Sequence, residues 1–174
     1  MSDNHAYLAL IQALDALPSI GEKAAERLAT HLVLHKDAAL YQALAYAQQQ
    51  LQPCTRCRVI GAQAYCALCQ DSLRENRILV LKSMQQQKIA EEKGWKGRYF
   101  ILHSYLSPAQ GVGPKQLDLE RLLNQALSAQ AEVVLALEAS AEARATSEFI
   151  WQMLKLKQGT VVQQEWSQWL AHYE

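Results

Sequence analysis

The chain has 174 residues and a mass of 19.6 kDa, with 50% of residues apolar and 20% charged, which suits a packed globular protein and excludes a disordered or collagen-like one. Seventeen Lys and Arg balance seventeen Asp and Glu, so a globally basic nucleic-acid-binding surface is excluded while a local basic face is not. No apolar run reaches the ~20 residues that span a bilayer, and residues 1–5 lack the basic and apolar regions of a signal peptide, which predicts a cytoplasmic protein with no membrane partner.

Leu8, Ile11, Leu14 and Leu17 recur at helical spacing and predict an amphipathic helix over residues 5–17. Pro18 and Gly21 interrupt the pattern, which resumes over residues 22–34 with Ala25, Leu28, Ala29 and Leu32 on one stripe. Ala39, Leu40, Ala43, Leu44, Ala47 and Leu51 mark a third helix. The segment LPSIGEKAAERL at residues 17–28 resembles a helix-hairpin-helix DNA-binding motif. Such a turn exposes backbone N–H groups that can receive a phosphate oxygen, and Lys23 and Arg27, four residues apart, share the adjoining face. Ser19 stands where the motif usually has its first glycine, and Glu22 and Glu26 add repulsion. The plainer reading is a helical corner with solvent-facing charges.

Four cysteines follow, Cys54, Cys57, Cys66 and Cys69, in the pattern C-x2-C-x8-C-x2-C. Each knuckle can turn two thiolates toward one ion, and two knuckles complete the closed four-sulfur shell of a structural zinc. Free thiols or a single redox pair are the competing readings; disulfides suit neither the chain length nor the compartment. Four thiolates on one Zn2+ leave a charge of −2 that Arg56, Arg58 and Arg74 can offset. Residues 51–82 hold five basic groups (Arg56, Arg58, Arg74, Arg77, Lys82) against Asp71 and Glu75, which with Lys23 and Arg27 makes the most plausible DNA track. Residues 131–150, with Glu132, Glu138, Glu142 and Glu148 against Arg144, disfavour DNA.

Beyond the ribbon the period changes. Apolar runs at residues 78–81, 99–102, 133–137 and 160–162 predict strands, and Leu119, Leu122, Leu123, Ala126, Leu127 and Ala145, Phe149, Ile150, Met153, Leu154 predict helices between the later ones. Continuous apolar strands alternating with amphipathic helices imply a largely parallel sheet covered on both faces. The predicted organisation is a helical module (1–52), a zinc ribbon (53–76), an α/β domain (77–164) and a C-terminal helical tail (165–174). In the tail, Trp166, Trp169 and Leu170 share one helix face, which either caps the sheet or forms an exposed aromatic contact. His103, after a strand end, is either at the ligand edge of the α/β domain or a surface histidine.

The order of hairpin, four cysteines and α/β domain resembles the RecR family of bacterial recombination mediators. LSPAQGVGP at residues 106–114 is similar to that family's LSPLDGIGP, and GRYFIL at residues 97–102 also matches family sequence; the likeness covers residues 8 to about 155. The resemblance implies a multidomain α plus α/β protein with a Toprim-like domain. It further implies a non-enzymatic role in recombination and DNA repair, weak sequence-independent DNA binding through Lys23, Arg27, Arg56 and Arg58, and homo-oligomers. The implied partners are RecO or a full-length RecR homologue. Several positions depart from the family. Lys82 replaces the glutamate that ends the first Toprim strand, Gln110 replaces the aspartate of the DGIG stretch, and Glu142-Ala143-Arg144 replaces E-G-E. A divalent cation needs several anionic oxygens, so Mg2+ chemistry is not expected, and Lys82, Arg144 and Glu142 can form an internal ion pair instead. The tail also departs from the glycine-rich stretch that helps the family close its rings, which predicts a divergent or C-terminally shortened member whose dominant form is a dimer. The alternative function is a protein-interaction adaptor with the same fold and little DNA affinity, favoured by Glu22, Glu26 and the zero net charge.

Overall fold

A computed structural model describes residues 4–36 and 38–173, and in it the chain divides into two units, Met1–Gln50 and Leu51–Glu174. The first unit holds α1 (His5–Asp15), α2 (Glu22–His35) and α3 (Ala38–Gln50). Small residues set the approach of α1 to α2: Ala25 and Ala29 are fully buried, and Tyr7 Oη lies 2.7 Å from Thr30 Oγ1 across the pair. The inward stripe of α1 is rotated from the one the spacing predicts. Tyr7, Leu10, Ile11 and Leu14 are half-buried, an i, i+3, i+4, i+7 set, whereas Leu8 and Leu17 are 54% and 48% exposed. On α3, Tyr41, Leu44 and Tyr46 are all more than half exposed.

The second unit begins with a small antiparallel pair, β1 (Gln52–Pro53) and β2 (Ile60–Gly61), followed by the single turn α4 (Ala67–Gln70). Four strands then form one sheet: β3 (Glu75–Leu81), β4 (Gly97–Ile101), β5 (Glu132–Leu137) and β6 (Val161–Glu165). Their order is β4-β3-β5-β6 and every pairing is parallel, as the continuous apolar runs predict. Ile78, Val80, Phe100, Val133 and Leu135 face α6 (Leu119–Ser128) and α7 (Ala141–Leu156). Leu79, Leu81, Tyr99, Ile101, Val134 and Ala136 face the other side, with α5 (Met84–Glu92), the cysteine ribbon and α8 (Trp166–Ala171). Each of the Val, Leu, Ile and Phe side chains among them contributes ~1.5–3 kcal/mol on burial.

No helix of the described residues is long and apolar enough to cross a membrane. The apolar pattern alone does not announce α5, whose buried residues are Gln86 and Ala90. A capping box starts it: Ser83 accepts from Gln86 N and the Gln86 side chain returns to the Ser83 N–H. Of the two readings of the tail, the capping one describes Trp169, which is 2% exposed. Its ring meets Trp95 edge-on at 6.0 Å and stacks on Trp166 at 5.1 Å and Tyr173 at 4.5 Å.

Candidate functional site

The four cysteine sulfurs lie within 4.8 Å of one another, with Cys57 and Cys66 at 3.4 Å. A tetrahedron with 2.3 Å zinc–sulfur bonds has edges of ~3.8 Å, so this donor set fits Zn2+. Backbone geometry prepares it: Cys66 N donates to Cys54 Sγ at 3.4 Å, and Arg58 N and Gln70 N close the two knuckles on Cys54 O and Cys66 O. Burial raises the Cys54 thiol, but backbone donors from Cys57, Cys66 and Arg56 outweigh it and bring the pKa to about 6. The hydrogen bond that the Cys57 thiol donates to Cys69, then burial, pushes Cys57 up, and burial first of all raises Cys66 to about 11. Four thiols this close resist joint deprotonation, and a dication at their centre removes that conflict.

The ribbon is fastened to the sheet by side chains on both sides. Arg58 donates to Leu117 O at 2.6 Å, Gln116 O at 3.2 Å and Leu102 O at 3.3 Å, and its guanidinium is held below its ordinary pKa by burial. His103 Nε2 lies 2.7 Å from Arg58 O. Arg121 donates to Thr55 O at 2.6 Å, Gln125 to Arg56 O at 2.9 Å, and Ile101 N to Cys57 O at 2.9 Å. Arg58, expected to face DNA, therefore has an inward task, and His103 serves the ribbon contact. Arg56 donates to Cys69 O at 3.1 Å and lies 5.9 Å from the centre of the exposed Tyr65 ring. Neither arginine donates to a cysteine sulfur. Arg74, the third expected counter-charge, binds Glu91 at 2.6 Å and Gly97 O at 2.7 Å.

In the first unit, the turn between α1 and α2 leaves the N–H groups of Ser19, Gly21, Glu22 and Lys23 without an acceptor among the described residues. Ser19 has φ 66°, the left-handed conformation that glycine enters freely. Ile20 is half-buried and holds the turn. The side chains of Lys23 and Arg27 are exposed and make no hydrogen bond or ion pair with a described residue.

The sheet edge where the strands end brings together residues from three of them. Lys82, directly after β3, reaches Glu138, directly after β5, at 3.4 Å. Tyr105, beyond β4, donates to the same Glu138 oxygen at 3.2 Å, and the Lys82 ammonium stands 5.0 Å from the Tyr105 ring centre. The expected pairing of Lys82 with Glu142 is thus replaced. Glu142 is exposed in the first turn of α7, Arg144 donates to Ala139 O, and Gln110 stands exposed in the 3-10 turn Pro108–Gln110. The reason is register: β3 and β5 are parallel neighbours with Val80 opposite Leu135, so their following residues meet at the sheet edge, while Glu142 is carried away on the helix.

Residues 8–50 match the family described as RecR, helix-hairpin-helix, and residues 76–164 match the family described as Toprim domain. The four-cysteine cluster lies between the two matched segments. The chain belongs to the RecR family. Membership places it among accessory proteins of recombination and repair. Its Toprim edge does not fit a divalent cation, because Lys82 fills the position after β3, Glu138 is engaged by Lys82 and Tyr105, and Arg144 adds a second cationic side chain. Sequence reasoning missed Glu138 as a member of this RecR-family site. Its signal was position: it follows an apolar strand as Lys82 does. Arg121 and Gln125 were missed too, since nothing local distinguishes them from other polar residues of an amphipathic helix.

Proposed function

We propose that this chain is a non-enzymatic recombination and repair accessory protein that binds the sugar–phosphate backbone of DNA weakly and without sequence preference. The observation that carries this reading is the hairpin of α1 and α2. Free N–H groups at residues 21–23 adjoin two exposed cationic side chains, Lys23 and Arg27, that no carboxylate engages among the described residues. Backbone donors and point charges together hold phosphate but read no base. Arg56, half-buried beside Tyr65, is a secondary contact, whereas Arg58 acts in the ribbon. The structural ion is one Zn2+ per chain on Cys54, Cys57, Cys66 and Cys69. The partners are a second copy of the chain and, by family membership, RecO or a full-length RecR.

Removing Lys23 and Arg27 together is expected to weaken binding about equally across DNA sequences and to lower the salt slope by roughly 1–2. Fluorescence anisotropy with single-stranded and duplex oligonucleotides at several salt concentrations measures both. Affinity at low salt that is unchanged in Lys23→Ala/Arg27→Ala would replace this reading with the adaptor reading.

A further inference from the structure

Next to the Lys82–Glu138 pair, a cavity of about 280 Å³ opens where β5 and β6 end, between the starts of α7 and α8. Its lining includes Glu138, Arg144, Ser147, Gln164, Glu165 and Gln168. The two acids are hydrogen-bonded already: Glu138 by Lys82 and Tyr105, and Glu165, which has no cationic partner among the described residues, by the N–H of Gln168. The donors are less committed. Arg144 spends one N–H on Ala139 O and faces no carboxylate in an ion pair among the described residues. Ser147, one turn further along α7, is 5% exposed, yet its hydroxyl makes no hydrogen bond to a described residue. That hydroxyl is open to the cavity rather than sealed from solvent, so a water or a ligand there can complete it. The 16-residue α7 begins nearby, with Ser140 capping its Ala143 N–H and Glu142 in its first turn, and Arg144 follows as its first cationic side chain.

We propose that this cavity binds a compact phosphate monoester, with Arg144 holding the anionic oxygens and Ser147 donating the hydrogen bond its hydroxyl lacks. The edge then binds the anion itself rather than a metal. Its volume lies at the lower limit of small-ligand sites, which suits a phosphate with one attached group, the end of a free nucleotide or of a 5′-phosphorylated strand.

The test uses the zinc-loaded full chain and backbone amide shifts, with inorganic phosphate, AMP and MgCl2 added separately to about 10 mM, tenfold above a weak millimolar dissociation constant. Phosphate and AMP are expected to move the amides of residues 141–147. Arg144→Gln is expected to weaken that response on the order of tenfold and Ser147→Ala several-fold, as for hydrogen bonds to a charged group. A 5′-phosphorylated oligonucleotide moving these amides where its 5′-hydroxyl counterpart does not assigns the site to strand ends; AMP binding without that difference assigns it to free nucleotides. Lys23→Ala/Arg27→Ala is expected to leave the response intact, so this inference and the DNA reading fail separately. An unmoved α7, a response indifferent to Arg144→Gln, or a Mg2+ response at the same amides overturns the proposal.

Discussion

Ser19 carries the local conflict in the hairpin. The turn demands a left-handed residue, φ 66°, and a non-glycine side chain there costs about 1–2 kcal/mol. Ser19→Gly relieves that strain but adds unfolded-state entropy, so a net stabilisation of about 0.5–1 kcal/mol is expected in urea unfolding followed by circular dichroism. Glu91 poses the opposite case. Its carboxylate accepts from Arg74 and from Tyr99, each at 2.6 Å. Burial raises its pKa, but these donors and the Arg74 charge hold the carboxyl below its ordinary range; Tyr99 is pushed up by burial and by its bond to Glu91. A depressed carboxylate contributes stability that is present above its unfolded pKa of ~4.3 and is lost as pH falls through the lower folded value. Glu91→Gln is therefore expected to be less stable at neutral pH and to show a shallower loss of stability below about pH 4. Parallel urea series of the two proteins, read by tryptophan fluorescence, measure the difference, in which acid release of zinc is common to both.

Among the elements, the ribbon has the least regular structure of its own. β1, β2 and α4 are two to four residues each, so an ion on the four cysteines is expected to supply its folding energy. One zinc per chain is expected by elemental analysis, and Cys54→Ala or Cys69→Ala is expected to release it and melt the ribbon. Because Arg58, Arg121 and Gln125 bond across to the sheet unit, faster hydrogen exchange should extend into residues 101–102 and 116–125. Folded wild-type protein with no zinc and four freely reactive thiols would refute the metal centre. α5 and α8 teach a related lesson. α8 shows its apolar face plainly in Trp166, Trp169 and Leu170, yet only the packing of Trp169 against Trp95 separates a cap on the sheet from an exposed contact.

For the whole molecule, the helical unit leaves much apolar surface uncovered: Val33, Leu34, Tyr41, Leu44 and Tyr46 are 51–71% exposed. Apolar residues exposed in this number on one small unit suit an interaction surface. We expect a dimer as the dominant form, since one two-fold contact closes on itself whereas a ring needs two compatible ones. Sedimentation at ~10–100 µM, above a ~1 µM contact constant, should give dimer mass, and Leu44→Asp/Tyr46→Asp should give monomer. A tetramer abolished by Trp166→Ala would place the main contact on α8 instead.

What the sequence by itself determined is whatever rests on local spacing. The paired cysteine knuckles announce a four-sulfur site because two residues between ligands is the reach of one knuckle. Continuous apolar runs at 78–81 and 133–137 announce parallel strands because both faces of such strands are buried. The hairpin is legible in LPSIG, with Lys23 and Arg27 four residues apart. What only the tertiary structure decided are the pairings that depend on register and on which face packs. Strand order puts Glu138 beside Lys82 and leaves Glu142 on an exposed helical turn. Docking of the ribbon turns Arg58 from a surface charge into a clamp on three carbonyls. A charged side chain reads the same in sequence whether it meets solvent, a carbonyl or a carboxylate, because its partner is supplied by an element up to 66 residues away.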